Sequence, residues 1–161
     1  MIGYRTIAAA GIYFAALAVA TPSSAQMIAS SNPEGVASYF RAEGATVVIT
    51  TDSEGDPRLQ VMRGENLGFE VWFYNCINHK NCQSLQFYAG YSGADVDATR
   101  INIWNRTRRF GRAYLDTENN PAVEMDINML DPGISRALFA DNYRVWKVLM
   151  SEFSNFIYGR R

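Results

Sequence analysis

The sequence predicts an α+β domain: an antiparallel β-sheet with helices packed on one face, in the order α-β-β-β-β-α-β-β-α. Two observations carry this. Segments alternating apolar and polar residues come in pairs joined by short turn-forming stretches, and amphipathic helical stretches stand before, between and after them. A third is that no repeat, low-complexity tract or linker divides the chain after its first 25 residues. At 161 residues, 48% apolar and 13% aromatic, the chain can bury a core and is not a disordered one. A net charge of −1 excludes nucleic-acid binding driven by bulk charge. A single histidine excludes multi-histidine metal sites.

The elements follow in chain order. Arg5 opens a short positive region, and the apolar run Ile7 to Ala20 follows, then Pro22 and the small residues Ser23, Ser24 and Ala25. A run this short falls below the ~20 residues that span a bilayer, so residues 1–25 read as a secretory signal peptide cleaved after Ala25. An uncleaved anchor is the rival reading. The domain then covers residues 26–161, with no later stretch of spanning length, and its expected location is periplasmic. Asn32-Pro33-Glu34 starts a helix with a cap, an N1 proline and an acid near the positive dipole end; Val36, Tyr39 and Phe40 give its apolar face and Gly44 stops it. Thr46 to Thr51 is a β-branched strand, and Asp52-Ser-Glu-Gly-Asp-Pro57 turns it into Arg58 to Arg63. The acids of that turn are too few for a calcium loop.

Leu67 to Asn75 places Phe69, Val71 and Phe73 on one side and Glu70, Trp72 and Tyr74 on the other. Ser84 to Tyr91 alternates in the same way, with Leu85, Phe87 and Ala89 inward. The polar loop between them carries Cys76 and Cys82. In an oxidising compartment the pair reads as a disulfide closing the loop. A metal site adding His79 lacks a fourth ligand, and a Cys76/His79 catalytic pair would be oxidised. Ser92-Gly-Ala-Asp95 resembles a capping box and predicts a helix to Asn105 or Arg106, with Trp104 facing the core. Asn105-Arg-Thr107 fits a glycosylation sequon that nothing in its context calls for. Phe110 to Asp116 and Ala122 to Met129 form the clearest hairpin, with Arg112, Tyr114, Glu124 and Asp126 outward. Asp131-Pro132 is read as the cap of a long helix to Ile157, its stripe being Ile134, Leu138, Val145, Leu149, Phe153 and Phe156, flanked by Trp146 and Met150. Asn142, inside the stripe, is read as a hydrogen-bonded core amide in preference to a sign that part of the helix faces a partner.

The block Ile101-Asn-Ile-Trp-Asn-Arg-Thr-Arg-Arg-Phe-Gly-Arg-Ala-Tyr-Leu-Asp116 resembles the YbjN family. Asn32-Pro33, the 52–57 turn, Cys82 to Ala89, Val123 to Asp126 and Ile134 to Phe139 extend the resemblance over nearly the whole chain after the leader. It implies a fold like that of type III secretion chaperones and a regulatory role in bacterial sensory transduction, and no established chemistry, since the family has no agreed catalytic residues; no cofactor is expected. The turn Thr117-Glu-Asn-Asn-Pro121 departs from the more acidic, glycine-containing turn the family leads one to expect.

The reading of function is a non-catalytic exported protein that binds a protein or peptide, with a homodimer in view because chaperone-like folds pair. The candidate contact residues are the outward aromatics Trp72, Tyr74, Tyr88 and Tyr114 and the basic cluster Arg106, Arg108, Arg109 and Arg112, part of an excess of 13 Arg over two Lys. Arginine forks suit carboxylates on a partner; the plainer alternative pairs Arg112 with Glu124 or Asp126 and leaves the others in a solvated turn. Two further readings are a small-molecule or lipid carrier with a cavity between sheet and long helix, and a hydrolase using Glu124 and Asp126. A thiol assay on unreduced, denatured protein from the exported fraction is expected to find no reactive thiol; two would exclude the Cys76–Cys82 bond.

Overall fold

The computed structural model describes residues 27–159; the leader assigned to residues 1–25 lies outside the described residues. The elements are β1 (Met27–Ile28), α1 (Pro33–Ala42), β2 (Thr46–Thr51), β3 (Pro57–Arg63), β4 (Asn66–Tyr74), β5 (Ser84–Gly90), α2 (Ala98–Thr107), β6 (Arg112–Leu115), β7 (Pro121–Asn128), β8 (Ile134–Ser135) and α3 (Arg136–Tyr158). Six strands form an antiparallel sheet in the order β2-β3-β4-β5-β7-β6, and β1 pairs with β8 as a separate short ribbon. This is the expected α+β architecture. The two-residue strands β1 and β8 are additions to it.

Strand parity decides which side is wet. Leu59, Val61, Phe69, Val71, Phe73, Leu85, Phe87, Val123, Met125 and Ile127 are buried, and they join one cluster with Phe40 of α1, Trp104 of α2 and Phe139, Trp146 and Phe153 of α3. Phe40 is the hub. Its ring meets Phe69, Phe87, Phe139 and Tyr143 at centroid separations of 5.5, 6.0, 5.7 and 5.1 Å, the edge-on and tilted contacts that aromatic quadrupoles favour.

Three expectations are corrected. The second helix begins at Ala98, where the Asp97 carboxylate accepts the Arg100 N–H at 2.8 Å; Gly93, at φ +70°, turns the chain away from the helix that Ser92 would have capped. The long helix begins at Arg136, with the Ser135 hydroxyl accepting the Leu138 N–H at 3.2 Å, not at Asp131-Pro132. Residues 134–135 are held in the ribbon with β1, and the preceding Gly133 (φ +95°) lies so close that an added Cβ would fall 2.2 Å from the Ile28 carbonyl oxygen. The stripe of α3 is also rotated: Phe139, Trp146, Leu149, Phe153 and Ile157 are buried, Leu138 is exposed and Asn142 is half-buried rather than inside the core. Burying rings removes more apolar area than burying Leu138 and Val145, so the aromatic positions set the helix's rotation.

Two hairpin turns are built alike. Asp52 and Asp116 each accept two backbone N–H groups through the side chain, from Glu54 and Asp56 in one turn and from Glu118 and Asn120 in the other. Each then leads into a strand that starts with proline, Pro57 or Pro121. Gly55 holds the left-handed position in the first (φ +96°) and Asn119 in the second (φ +63°). Asparagine tolerates that region better than other non-glycine residues, so the missing glycine leaves the turn intact.

The edge strand β6 is closed by a helix. The Asn105 amide donates to the Ala113 carbonyl at 2.9 Å and accepts the Ala113 N–H at 2.8 Å, taking both backbone groups that Ala113 turns away from β7. The sequon asparagine is thus a structural clamp. Asn105→Ala is expected to lower the unfolding free energy by about 1–3 kcal/mol, measured by urea denaturation; an unchanged midpoint would show that the clamp contributes nothing.

Candidate functional site

The helices occupy one face of the sheet, and the other face is laid out by register. One row across the strands carries Gln60, Glu70, Tyr88, Glu124 and Arg112; the next carries Arg58, Trp72, Gln86 and Asp126. Tyr74 and Tyr114 stand further along β4 and β6, and they are 40% and 38% exposed. Trp72 and Tyr88 are half-buried, with ring centroids 6.3 Å apart. The four predicted aromatics therefore share this face.

Polar contacts fix them in place. The Trp72 indole donates to Glu70 at 3.1 Å, and the Arg58 guanidinium lies 5.0 Å from the Trp72 ring centre. The Tyr74 hydroxyl donates to Gln86 at 3.3 Å, and the Gln86 amide donates to Asp126 at 2.9 Å. Glu70 and Glu124 are buried at 8% and 3% exposure beneath this layer. Each has a guanidinium beside it: Arg58 lies 3.8 Å from Glu70, and Arg112 pairs with Glu124, which offsets part of the cost of burying the charge. Burial raises the pKa of Tyr74, Tyr88 and Tyr114, and the carboxylates around them add to the rise. Tyr114 is pushed up to about 12 by burial first, then by the charge of Glu124 and its hydrogen bond to the phenol.

The predicted basic cluster is divided among separate partners. Arg112 takes the cross-strand pairing with Glu124. Arg108 reaches α3, with its Nε 2.9 Å from Glu152 and its guanidinium 5.2 Å from the Trp104 ring centre. Arg109 lies over Phe110, and Arg106 is exposed in the last turn of α2. The outward face is thus aromatic with embedded carboxylates.

Cys76 and Cys82 are joined by a disulfide. His79, at the tip of their loop, places Nδ1 2.8 Å from Asp56 in the β2–β3 turn. Asp56 and His79 lie 23 residues apart, so no local pattern links this turn acid to the histidine.

Two concavities bear on the alternative readings. A shallow depression of about 560 Å³ on the outer face is lined by Tyr74, Gln86, Asn105, Arg112, Tyr114 and Glu124. Asp126 is absent from its lining, so the two carboxylates proposed for hydrolysis do not converge there. A cleft of about 1010 Å³ opens between the β3–β4 turn and α3, and its wall is mixed, with Arg63, Asn66, Lys147 and Asn155 beside Met62, Phe69, Tyr143 and Met150. Such a wall does not suit a lipid carrier, whose site is mostly apolar.

A helix-backed antiparallel sheet with a wet aromatic face defines the class: an α+β module. Residues 32–158 match the YbjN family, described as "Putative bacterial sensory transduction regulator", and the chain belongs to it. No match was found among curated proteins or among solved structures.

The raised phenols give a titration test. Tyr91, whose hydroxyl donates to the Met150 carbonyl, is also pushed up to about 12, chiefly by burial. Both groups hold their protons in the folded state at pH values where an unfolded tyrosine loses them. Their contribution to stability is full below pH ~10 and is lost as pH rises through about 12. Ultraviolet titration should therefore show late-ionising phenols, and Glu124→Gln should bring that of Tyr114 down. An unchanged curve in the variant would remove Glu124 as a cause.

Proposed function

We propose that the protein is an exported, non-catalytic regulator that binds a protein or peptide partner on the outer face of its sheet. The observation that carries this is the grouping of Trp72, Tyr74, Tyr88 and Tyr114 on the face that no helix among the described residues covers. Tyrosine and tryptophan offer large contact area with few rotatable bonds, as partner-binding surfaces require. Membership of a family described as regulators supports the non-catalytic role. The leader at residues 1–25 and the Cys76–Cys82 bond support export to the periplasm, with one domain from Gln26 onward.

Photo-crosslinking in the native bacterium tests the reading. A benzophenone amino acid at Tyr74 or Tyr114 is expected to give a discrete adduct with another protein. The same probe at Ile103 or Val148, exposed on α2 and α3, is expected to give none. Equal adducts at all four positions, or none at any, would overturn the binding face. Recovery of the protein with its leader intact in the membrane fraction would overturn cleavage after Ala25, and recovery in the cytosol would overturn export.

A further inference from the structure

The two edges of the six-stranded sheet are unlike. At β6 the strand is four residues long and Asn105 occupies the outward backbone groups of Ala113. At the other edge, β2 is six residues of Thr, Val and Ile with no charge, proline or register break. Natural sheets guard their edges by such devices, because a bare edge pairs with another strand. The Asp52 N–H bonds the Asp56 carbonyl, so alternation along the ladder turns the N–H and C=O groups of Val47, Ile49 and Thr51 away from β3. Among the described residues, the contact these groups make is at the Val47 carbonyl, which accepts from Arg41 at 3.3 Å. Val48 and Ile49 are 45% and 40% exposed.

The geometry points to a second copy of this chain as the occupant. We propose that two molecules pair antiparallel through β2 about a two-fold axis at Ile49, joining their sheets into one. That alignment sets Ile49 opposite Ile49 and Val47 opposite Thr51, and in both pairs the outward backbone groups meet. Val48 falls opposite Thr50, and no like charges oppose each other. Helix α1 supplies the charge complementarity. Glu34, Ser38 and Arg41 lie along one exposed stripe, with Arg41 paired to Glu34, and the Arg41 bond to Val47 shows that the stripe faces the β2 edge. Because α1 leads into β2 through a short turn, the two-fold axis runs the two helices antiparallel. The Glu34 end of one stripe then meets the Arg41 end of the other, and the small Ser38 sits at the crossing. A foreign strand could use the bare edge but would have no reason to match this stripe. The inference does not rest on the outer face binding a partner.

Sedimentation of the purified protein at about 100 μM is expected to show a dimer. Ile49→Lys, which sets two cations against each other on the axis, is expected to give a monomer with an unchanged circular dichroism spectrum. Ile49→Cys is expected to form a covalent dimer on oxidation, and Thr46→Cys is not; this pair decides the matter if the lysine variant fails to fold. Glu34→Arg should weaken dimerisation about tenfold or more, and Glu34→Arg with Arg41→Glu should restore it. A monomeric wild-type protein, or a dimer that Ile49→Lys leaves intact and Ile49→Cys does not crosslink, would overturn the proposal. Equal dimerisation by the single and double charge variants would overturn the α1 contact.

Discussion

The contact between Phe40 and the rings of Phe69, Phe87, Phe139 and Tyr143 joins α1, the middle of the sheet and α3 at one place. These elements are far apart in sequence, so their close approach must be repaid by buried apolar area. The same cluster sets the rotation of α3, and with it which residues of that helix are wet. It also fixes the parity of β4 and β5: once Phe69 and Phe87 point inward, Glu70, Trp72, Gln86 and Tyr88 have no choice but the opposite face.

That parity is why so much was legible in the residues. Long strands carry a period-two signal, and their hairpins are marked by aspartate, glycine or asparagine, and proline at the 52–57 and 116–121 turns. The aromatics of the outer face, and the cross-strand partner of Arg112, could be read from the same alternation. Strands β1 and β8 could not, because two residues have no period. Ser92 and Asp131-Pro132 are good caps that lost to better-placed ones at Asp97 and Ser135. Leu138 and Phe139 are equally apolar in a helical pattern, and only the shape of the sheet's surface separates them. The partners of His79 and Arg108 come from distant elements, and that of Asn105 is the backbone of Ala113 in the next strand, so spacing alone did not reveal them.

The buried charges of the outer face are held in a layered order. Glu70 and Glu124 lie beneath, arginines close over them, and tyrosines and Trp72 stand around the pairs. A face of this kind keeps its side chains in fixed places before anything binds, which lowers the ordering cost of recognition.

The three tryptophans occupy three different settings. Trp104 and Trp146 are fully enclosed by the core, whereas Trp72 is half-buried on the outer face beside the Arg58 guanidinium. Small dissolved quenchers can therefore reach one indole and not the other two. The protein carries its own optical label where the proposed partner would sit: loss of quenching at Trp72, against a constant signal from the enclosed pair, would report occupancy of the face without any added dye.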